Sequence, residues 1–330
     1  LTAPPSTRPQ AQPLARHPLA DALAGELLAD SPAAGSWPAR GSVPVSVLVP
    51  VRNEEANIPE CLRALQWAGQ VVVVDSHSTD RTAPAAQAFG ADVYQFTFPA
   101  SGWPKKKNWA LDHVAWKHEW VLVVDADERV TPELAAEIAA LVRQTAADAY
   151  FLKRRFYFMG RWIRHCGYYP VWNLRLFRHA LGRYERIGDL GDTGSGDNEI
   201  HEHVVAPAAR YGFLKHDLIH FAYPDLATWV EKHNRYSNWE AHAMVAGYAG
   251  GVKPALFGDP VARRRWLKAR SRWLPGRPLW RFLYSYIFQG GFLDGSAGYH
   301  LCWMLAWYEF LSIAKYRELK ARRRRERGAS

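Results

Sequence analysis

Trp120-Val-Leu-Val-Val-Asp-Ala-Asp-Glu-Arg129 is the stretch from which the rest of the chain can be read. Five apolar residues make a short buried strand, and two acids one residue apart follow it at once. In a parallel α/β sheet, ligands bind beyond the carboxyl ends of the strands. There Asp125 can hydrogen-bond sugar hydroxyls, and Asp127 can hold a hard divalent cation that grips a diphosphate. Such a cation takes one or two protein carboxylates and fills its shell with water and phosphate oxygens, so a sparse acidic site is enough. An isolated Asp-x-Asp more often caps a turn. The weight of this one comes from its place in a series of strand ends.

Upstream, Val45–Val49, Val71–Val74 and Ala91–Phe96 read as buried strands. Ile58–Trp67, Asp80–Phe89 and Lys105–Trp116 have helical spacing, and Thr131-Pro132-Glu133 starts a helix running to Gln144. Strands separated by helices of roughly 10–15 residues predict an α/β fold with a mostly parallel central sheet flanked by helices. Downstream, Tyr150–Phe158, Asn173–Phe177 and Ile200–Val205 read as β, with a Gly-rich loop at Gly188–Gly196. Leu226–Met244 reads as an amphipathic helix, and Leu279–Phe288 and Gly298–Tyr316 as apolar helices. The expected organisation is a disordered Ala/Pro-rich leader over 1–42, a catalytic domain over 43–223, a helical extension over 224–318 and a basic tail over 319–330.

Each strand end carries polar groups. Pro50, Arg52, Asn53 and Glu54 follow the first, where they could cradle a nucleotide or cap the next helix. No P-loop or Gly-x-Gly-x-x-Gly turn is present. Asp75 and Ser76 follow the second, with Asp75 placed to accept from a base or ribose and Thr79 or Asp80 expected as helix cap. Lys105, Lys106 and Lys107, next to Asn108, oppose the dipole at a helix start, which predicts a local anion. Arg175 and Arg178 could contact phosphate. In Glu199-Ile-His-Glu-His203, strand alternation puts His201 and His203 on one face and Glu202 on the other. Zinc is disfavoured there because the ligand set lacks cysteine, and Glu202 is a candidate general base.

In order, Pro50-x-Arg52-Asn53-Glu54, Asp75-Ser76-x-Ser78-Thr79-Asp80, Lys107-Asn108 and Asp125-x-Asp127-Glu128 resemble family 2 glycosyltransferases of GT-A fold. Lys107-Asn108-x-Ala110-Leu111, Leu174-Arg175-Leu176-Phe177-Arg178, His201-Glu202 and Phe292-Leu293-Asp294-Gly295 are similar to the lipopolysaccharide-core glucosyltransferase subgroup. The likeness spans roughly residues 43–316. It implies a nucleotide-sugar-binding half (43–145) and an acceptor half (146–223). By resemblance, Asp75 meets the uracil or ribose of a UDP-sugar, supported by Asn53 and Glu54. Lys107 lies near the diphosphate, Asp125 meets ribose or donor sugar, and Asp127 ligates Mn²⁺ or Mg²⁺. The implied reaction is a single inverting displacement, with Glu202 as base and a glycan or lipid-linked acceptor. His77 and Val51 depart from the family pattern. The absent Gln-x-x-Arg-Trp motif implies single transfer rather than polymerisation.

Composition bounds the partners. The chain has 330 residues, 15 Trp and a formal charge of +10. Cys61, Cys166 and Cys302 are too few and too scattered for a disulfide framework and suit a reducing cytoplasm. No secretory signal pattern opens the chain. Leu301–Ala314, interrupted by Glu309, falls short of the about 20 apolar residues a spanning helix needs. Trp280, Trp303 and Trp307, with Arg263–Arg265, Lys268, Arg270, Arg272 and Arg322–Arg325, predict peripheral contact with an anionic membrane, at the inner face of the cytoplasmic membrane. Three other readings are a polyprenyl-phosphate glycosyltransferase, a silent glycan-binding relative and a basic nucleic-acid binder. The last leaves the acidic motifs unexplained and shows no nucleic-acid module, so no nucleic-acid partner is expected.

Overall fold

The computed structural model describes residues 11–14, 37–144, 146–186, 203–247, 255–257, 266, 270 and 275–328. Most of the expected leader, the Gly-rich loop, His201, Glu202, Arg263–Arg265, Lys268 and Arg272 lie outside the described residues. The chain forms two compact units. The first comprises 1–154, 172–184 and 203–220, and the second 155–171, 185–202 and 221–330.

The first unit holds the predicted series of strand ends. Its strands are β1 (Val43–Val51), β2 (Ala68–Asp75), β3 (Asp92–Gln95), β4 (Trp120–Val123), β5 (Glu128–Arg129), the first part of β6 (Ala149–Phe158), β8 (Trp172–Arg178) and β11 (Tyr211–His220). They pair in the order β3-β2-β1-β4-β8-β6-β11-β5. β9 (Arg183–Tyr184) and β10 (Val204–Val205) pair separately. β2–β3, β1–β2 and β1–β4 are parallel. β4–β8, β6–β8 and β5–β11 are antiparallel. The parallel arrangement thus covers the donor half, and the sheet is mixed beyond β4.

Both faces of the parallel part are covered. Val45, Val47 and Val49 pack with Ile58, Leu62, Leu134 and Ile138 on one side. Leu48, Val72, Val74, Val121 and Val123 pack with Leu111 on the other. These residues come from α1 (Ile58–Arg63), α3 (Lys106–His113) and α4 (Pro132–Leu141), while α2 (Thr82–Ala88) joins β2 to β3. Each such side chain contributes about 1.5–3 kcal/mol on burial. α1 is shorter than expected because the chain turns at Ala64 and re-enters the sheet at Ala68, three residues before Val71. Thr131 caps α4 through Leu134 N at 3.2 Å. At α2 the cap position is Arg81, whereas Asp80 accepts from Thr82 N at 3.0 Å. Within the expected leader, Ala11 N donates to His113 O and Leu14 N to Val93 O.

In the second unit, β7 (Arg161–Ile163) pairs with the end of β6. Its helices include α5 (Leu226–Ala246), α6 (Arg277–Leu283), continued as a π turn over Tyr284–Phe288, and α7 (Gly295–Gly328), preceded by a 3-10 turn at Gly291–Asp294. Asp225 caps α5 by accepting from Thr228 N, and Gly247, with φ of 70°, ends it. Trp229, Phe156, Phe158, Leu301 and Leu305 form the core. α7 runs past Tyr316, where the apolar pattern ends, and carries the basic run Arg322–Arg325. Among the described residues, no helix is long and apolar enough to cross a membrane.

Candidate functional site

Two strand-end loops of the first unit are laced together. Asn53, at φ 54°, donates its backbone N–H to Ser78 Oγ at 2.8 Å and accepts from Thr79 N at 2.9 Å. Glu54 N donates to Thr82 Oγ1 at 2.8 Å, and Glu55 N to Asp80 Oδ2 at 3.2 Å. Ser76 N donates to Val51 O. Asp75 sits at the end of β2, opposite Val51, and is fully buried. Its carboxylate accepts from Ser78 N and Oγ and from Gln95 Nε2 at 2.9 Å. Asp75 therefore holds the turn that shapes the loop. Pro50 is half-buried, and Arg52 is exposed at the loop edge.

The start of α3 reaches both neighbouring strand ends. Lys106 Nζ donates to Val51 O at 2.7 Å. Lys107 Nζ lies 3.2 Å from Asp125 Oδ1 and 5.1 Å from the Tyr184 ring centroid. The anion predicted for this lysine run is thus supplied, at Lys107, by the chain itself. Arg175 NH2 donates to Asp125 Oδ2 at 2.8 Å and lies 3.4 Å from Glu128 Oε1. Arg154 NH1 reaches the same Glu128 oxygen at 3.1 Å, while Glu128 Oε2 accepts from Asp125 N. Burial pushes the Asp125 pKa up, but Arg175 and Lys107 outweigh it and hold the carboxyl well below its usual range. Burial likewise opposes the Arg175 charge, and Asp125 and Glu128 restore it. The result is an ionised, oriented Asp125, still 29% exposed, with spare acceptor capacity at the rim.

Asp127 is placed by a different pairing. β5 follows it directly and pairs with the end of β11, setting His220 opposite Glu128. His220 Nε2 comes within 3.5 Å of Asp127 Oδ1. Arg129 locks the intervening turn by donating to Ala126 O at 2.7 Å. A carboxylate oxygen at the rim is a donor that suits a hard divalent cation, which fills the rest of its shell with water and phosphate oxygens. Among the described residues, no group of three or more His, Cys, Asp or Glu could hold a metal unaided.

Two of the expected contact residues are engaged within the protein itself. Asn108 is buried and uses both ends of its amide on Tyr184, donating to its O and accepting from its N at 2.9 Å each. These two bonds brace β9. Arg178 lies three residues beyond Arg175 on β8, past the irregularity where Tyr150 and Phe151 of β6 pair with Leu176 and Leu174. It binds Glu119 and Asp148 and lies 5.0 Å from the Trp120 ring centroid, so its charge is already committed. Glu128, Arg154 and His220 carried no assigned role in the sequence reading. A cavity of about 180 Å³, lined by Gln66, Gln70, Phe89, Asp92 and Lys117, lies at the opposite, amino end of β2 and β3.

The Glycosyl transferase family 2 profile matches residues 46–196. The lipopolysaccharide core biosynthesis glycosyltransferase LpsC of Rhizobium meliloti is 30% identical over 296 residues, 85% of this chain and 95% of that protein. An uncharacterized glycosyltransferase of Rickettsia bellii is 24% identical over 277 residues, 83% of this chain and 86% of that protein. Among solved structures, S. aureus TarS 1-349 in complex with UDP aligns at a TM-score of 0.38 and 19% identity, over 86% of this chain and 91% of that one. The matched profile and the strand-end site define a glycosyltransferase of α/β GT-A fold. The chain belongs to glycosyltransferase family 2.

Proposed function

We propose that the chain transfers a hexose from a nucleotide-diphospho-sugar, a UDP-hexose, to a glycan or lipid-linked acceptor of the cell envelope, inverting the anomeric centre. The name of the Rhizobium meliloti relative points to lipopolysaccharide core as the product class. The reaction belongs at the inner face of the cytoplasmic membrane. The observation that carries the reading is the charged cluster beyond β4, where Lys107 and Arg175 fix Asp125 and where Asp127 meets His220.

Asn53, Glu54, Asp75 and Ser76 line the nucleotide side, with Asp75 toward the base or ribose and Pro50 and Arg52 at the edge. Asp125, held ionised, accepts from a ribose or sugar hydroxyl. Lys107 adds positive charge where the diphosphate leaves. Asp127 and His220 are the residues that would hold Mn²⁺ or Mg²⁺, which when bound supplies charge compensation for the departing diphosphate. Glu202, outside the described residues, is proposed to take the acceptor hydroxyl proton, with His201 beside the acceptor.

Thermal melts of the full chain with UDP-, GDP- and TDP-hexoses, each with and without Mn²⁺, test the donor. UDP-hexoses should stabilise only with the cation. Equal stabilisation by all nucleotides, or by none, contradicts the reading. Labelled product that extracts into organic solvent would move the acceptor to a polyprenyl phosphate.

A further inference from the structure

The second unit exposes a group of large apolar side chains that the transfer reaction does not use. Ile287, Phe288, Phe292 and Leu293 surround the Gly290-Gly291 turn and are 52, 75, 51 and 56% exposed. No charged residue occurs from Phe282 to Leu293. The turn is held from beneath rather than left to fray. Asp294, almost fully buried, accepts from Arg164 N at 3.2 Å, His165 N at 2.8 Å and His165 Nδ1 at 3.0 Å. Cys166 N donates to Gln289 O at 3.0 Å. A Cβ on Gly291 would meet the sulfurs of Cys302 and Cys166 at 2.8 and 3.0 Å, so the turn is seated closely. Exposure of this tip is therefore built into the fold.

Aromatic rings flank the tip. Trp280 and Tyr284 are exposed on α6 and its π extension, and Tyr299 and Trp303 on α7. Phe282 stacks on Trp303 at 4.3 Å, joining the two helical rows. From Tyr299 the exposed row of α7 continues at three- and four-residue steps through Trp303, Trp307, Phe310, Ala314, Arg317, Ala321 and Arg324. Aromatic residues thus give way to arginines along one face. Residues 315–326 hold seven Lys and Arg against two Glu.

We propose that this face docks on an anionic lipid bilayer. The apolar tip enters the acyl boundary, the Trp and Tyr rings sit at headgroup level, and the distal arginines of α7 meet lipid phosphates. Charge selects this occupant over a second copy of the chain, which would bring the same cations against them. The proposal rests on the transferase reading only for its purpose, which is access to a lipid-borne acceptor.

Co-sedimentation of the full chain with vesicles tests it, using phosphatidylcholine alone and mixed equally with phosphatidylglycerol. Binding should require the anionic lipid and weaken with salt. The triple variant Phe288→Ser, Phe292→Ser, Leu293→Ser should lose roughly tenfold or more in partitioning. Arg317→Glu with Arg324→Glu should abolish the lipid preference. UDP-induced thermal stabilisation, measured beside it, reports folding and tests the donor site separately. If the triple variant does not fold, Phe288→Ser alone serves. Wild-type protein left in the supernatant, or equal binding by the tip variant, overturns the proposal. A wild-type dimer that the tip variant dissociates, without vesicle binding, overturns it in favour of self-association.

Discussion

Asp125 shows how a partly buried carboxylate is kept charged. Its folded pKa is depressed, so its contribution to stability is fully present above the ordinary value of about 3.9 and is lost as pH falls through the folded value. Melts of wild type should therefore show an acid-dependent loss that Asp125→Asn reduces; identical acid profiles would contradict the pairing. Glu128 is fully buried between Arg154 and Arg175. Glu128→Gln leaves two guanidinium groups under-compensated and should cost about 3 kcal/mol in urea unfolding. A loss below about 1 kcal/mol would mean that the cluster relaxes freely. At this scale the sequence revealed residue types and order but not commitments. The lysine run announced an anion, and for Lys107 the anion is Asp125. Nothing local reveals that Asn108 engages Tyr184 or that Arg178 engages Glu119 and Asp148. His220 carries no signal of its own, since only the pairing of β5 with β11 brings it to Asp127.

Elements were legible where apolar runs were continuous. β1 to β4 and their helices follow from Val-rich stretches buried on both faces, and only their ends move by a few residues. β11 was missed because Lys215, His216 and Asp217 interrupt its apolar pattern. Its backbone is satisfied from outside the sheet, with Glu137 of α4 accepting from Lys215 N at 2.8 Å and His216 N at 3.0 Å. Glu137→Ala should therefore weaken protection of those two amides in hydrogen exchange, and unchanged protection would show that the strand stands without it. In the second unit, a Cβ on Gly298 would meet Gly291 O, a backbone atom, at 2.1 Å. Gly298→Ala should force α7 away from the preceding 3-10 turn and cost about 1–3 kcal/mol by urea unfolding. Little or no change would show that the turn shifts freely. The helical path of Arg322–Arg325 was hidden because charge runs read as solvated tails, yet α7 carries them on, with Arg322 paired to Glu318 one turn back.

At the scale of the whole molecule, a net charge of +10 and 15 Trp pointed to an anionic, amphipathic partner without saying where it binds. The structure divides that signal. Buried cations of the first unit serve Asp125 and Glu128, whereas the exposed aromatics and arginines of α7 lie in the second. The proposed sugar transfer draws on the first set, and its central requirement is a cation held at Asp127 and His220 beside an ionised Asp125. Calorimetric titration of UDP into wild type and Asp127→Ala, with and without Mn²⁺, addresses that requirement most directly. Wild type should bind UDP in a Mn²⁺-dependent way, and the variant, with an unchanged melting temperature, at least about tenfold more weakly. UDP binding of equal strength in both proteins, or independent of the cation, would contradict it.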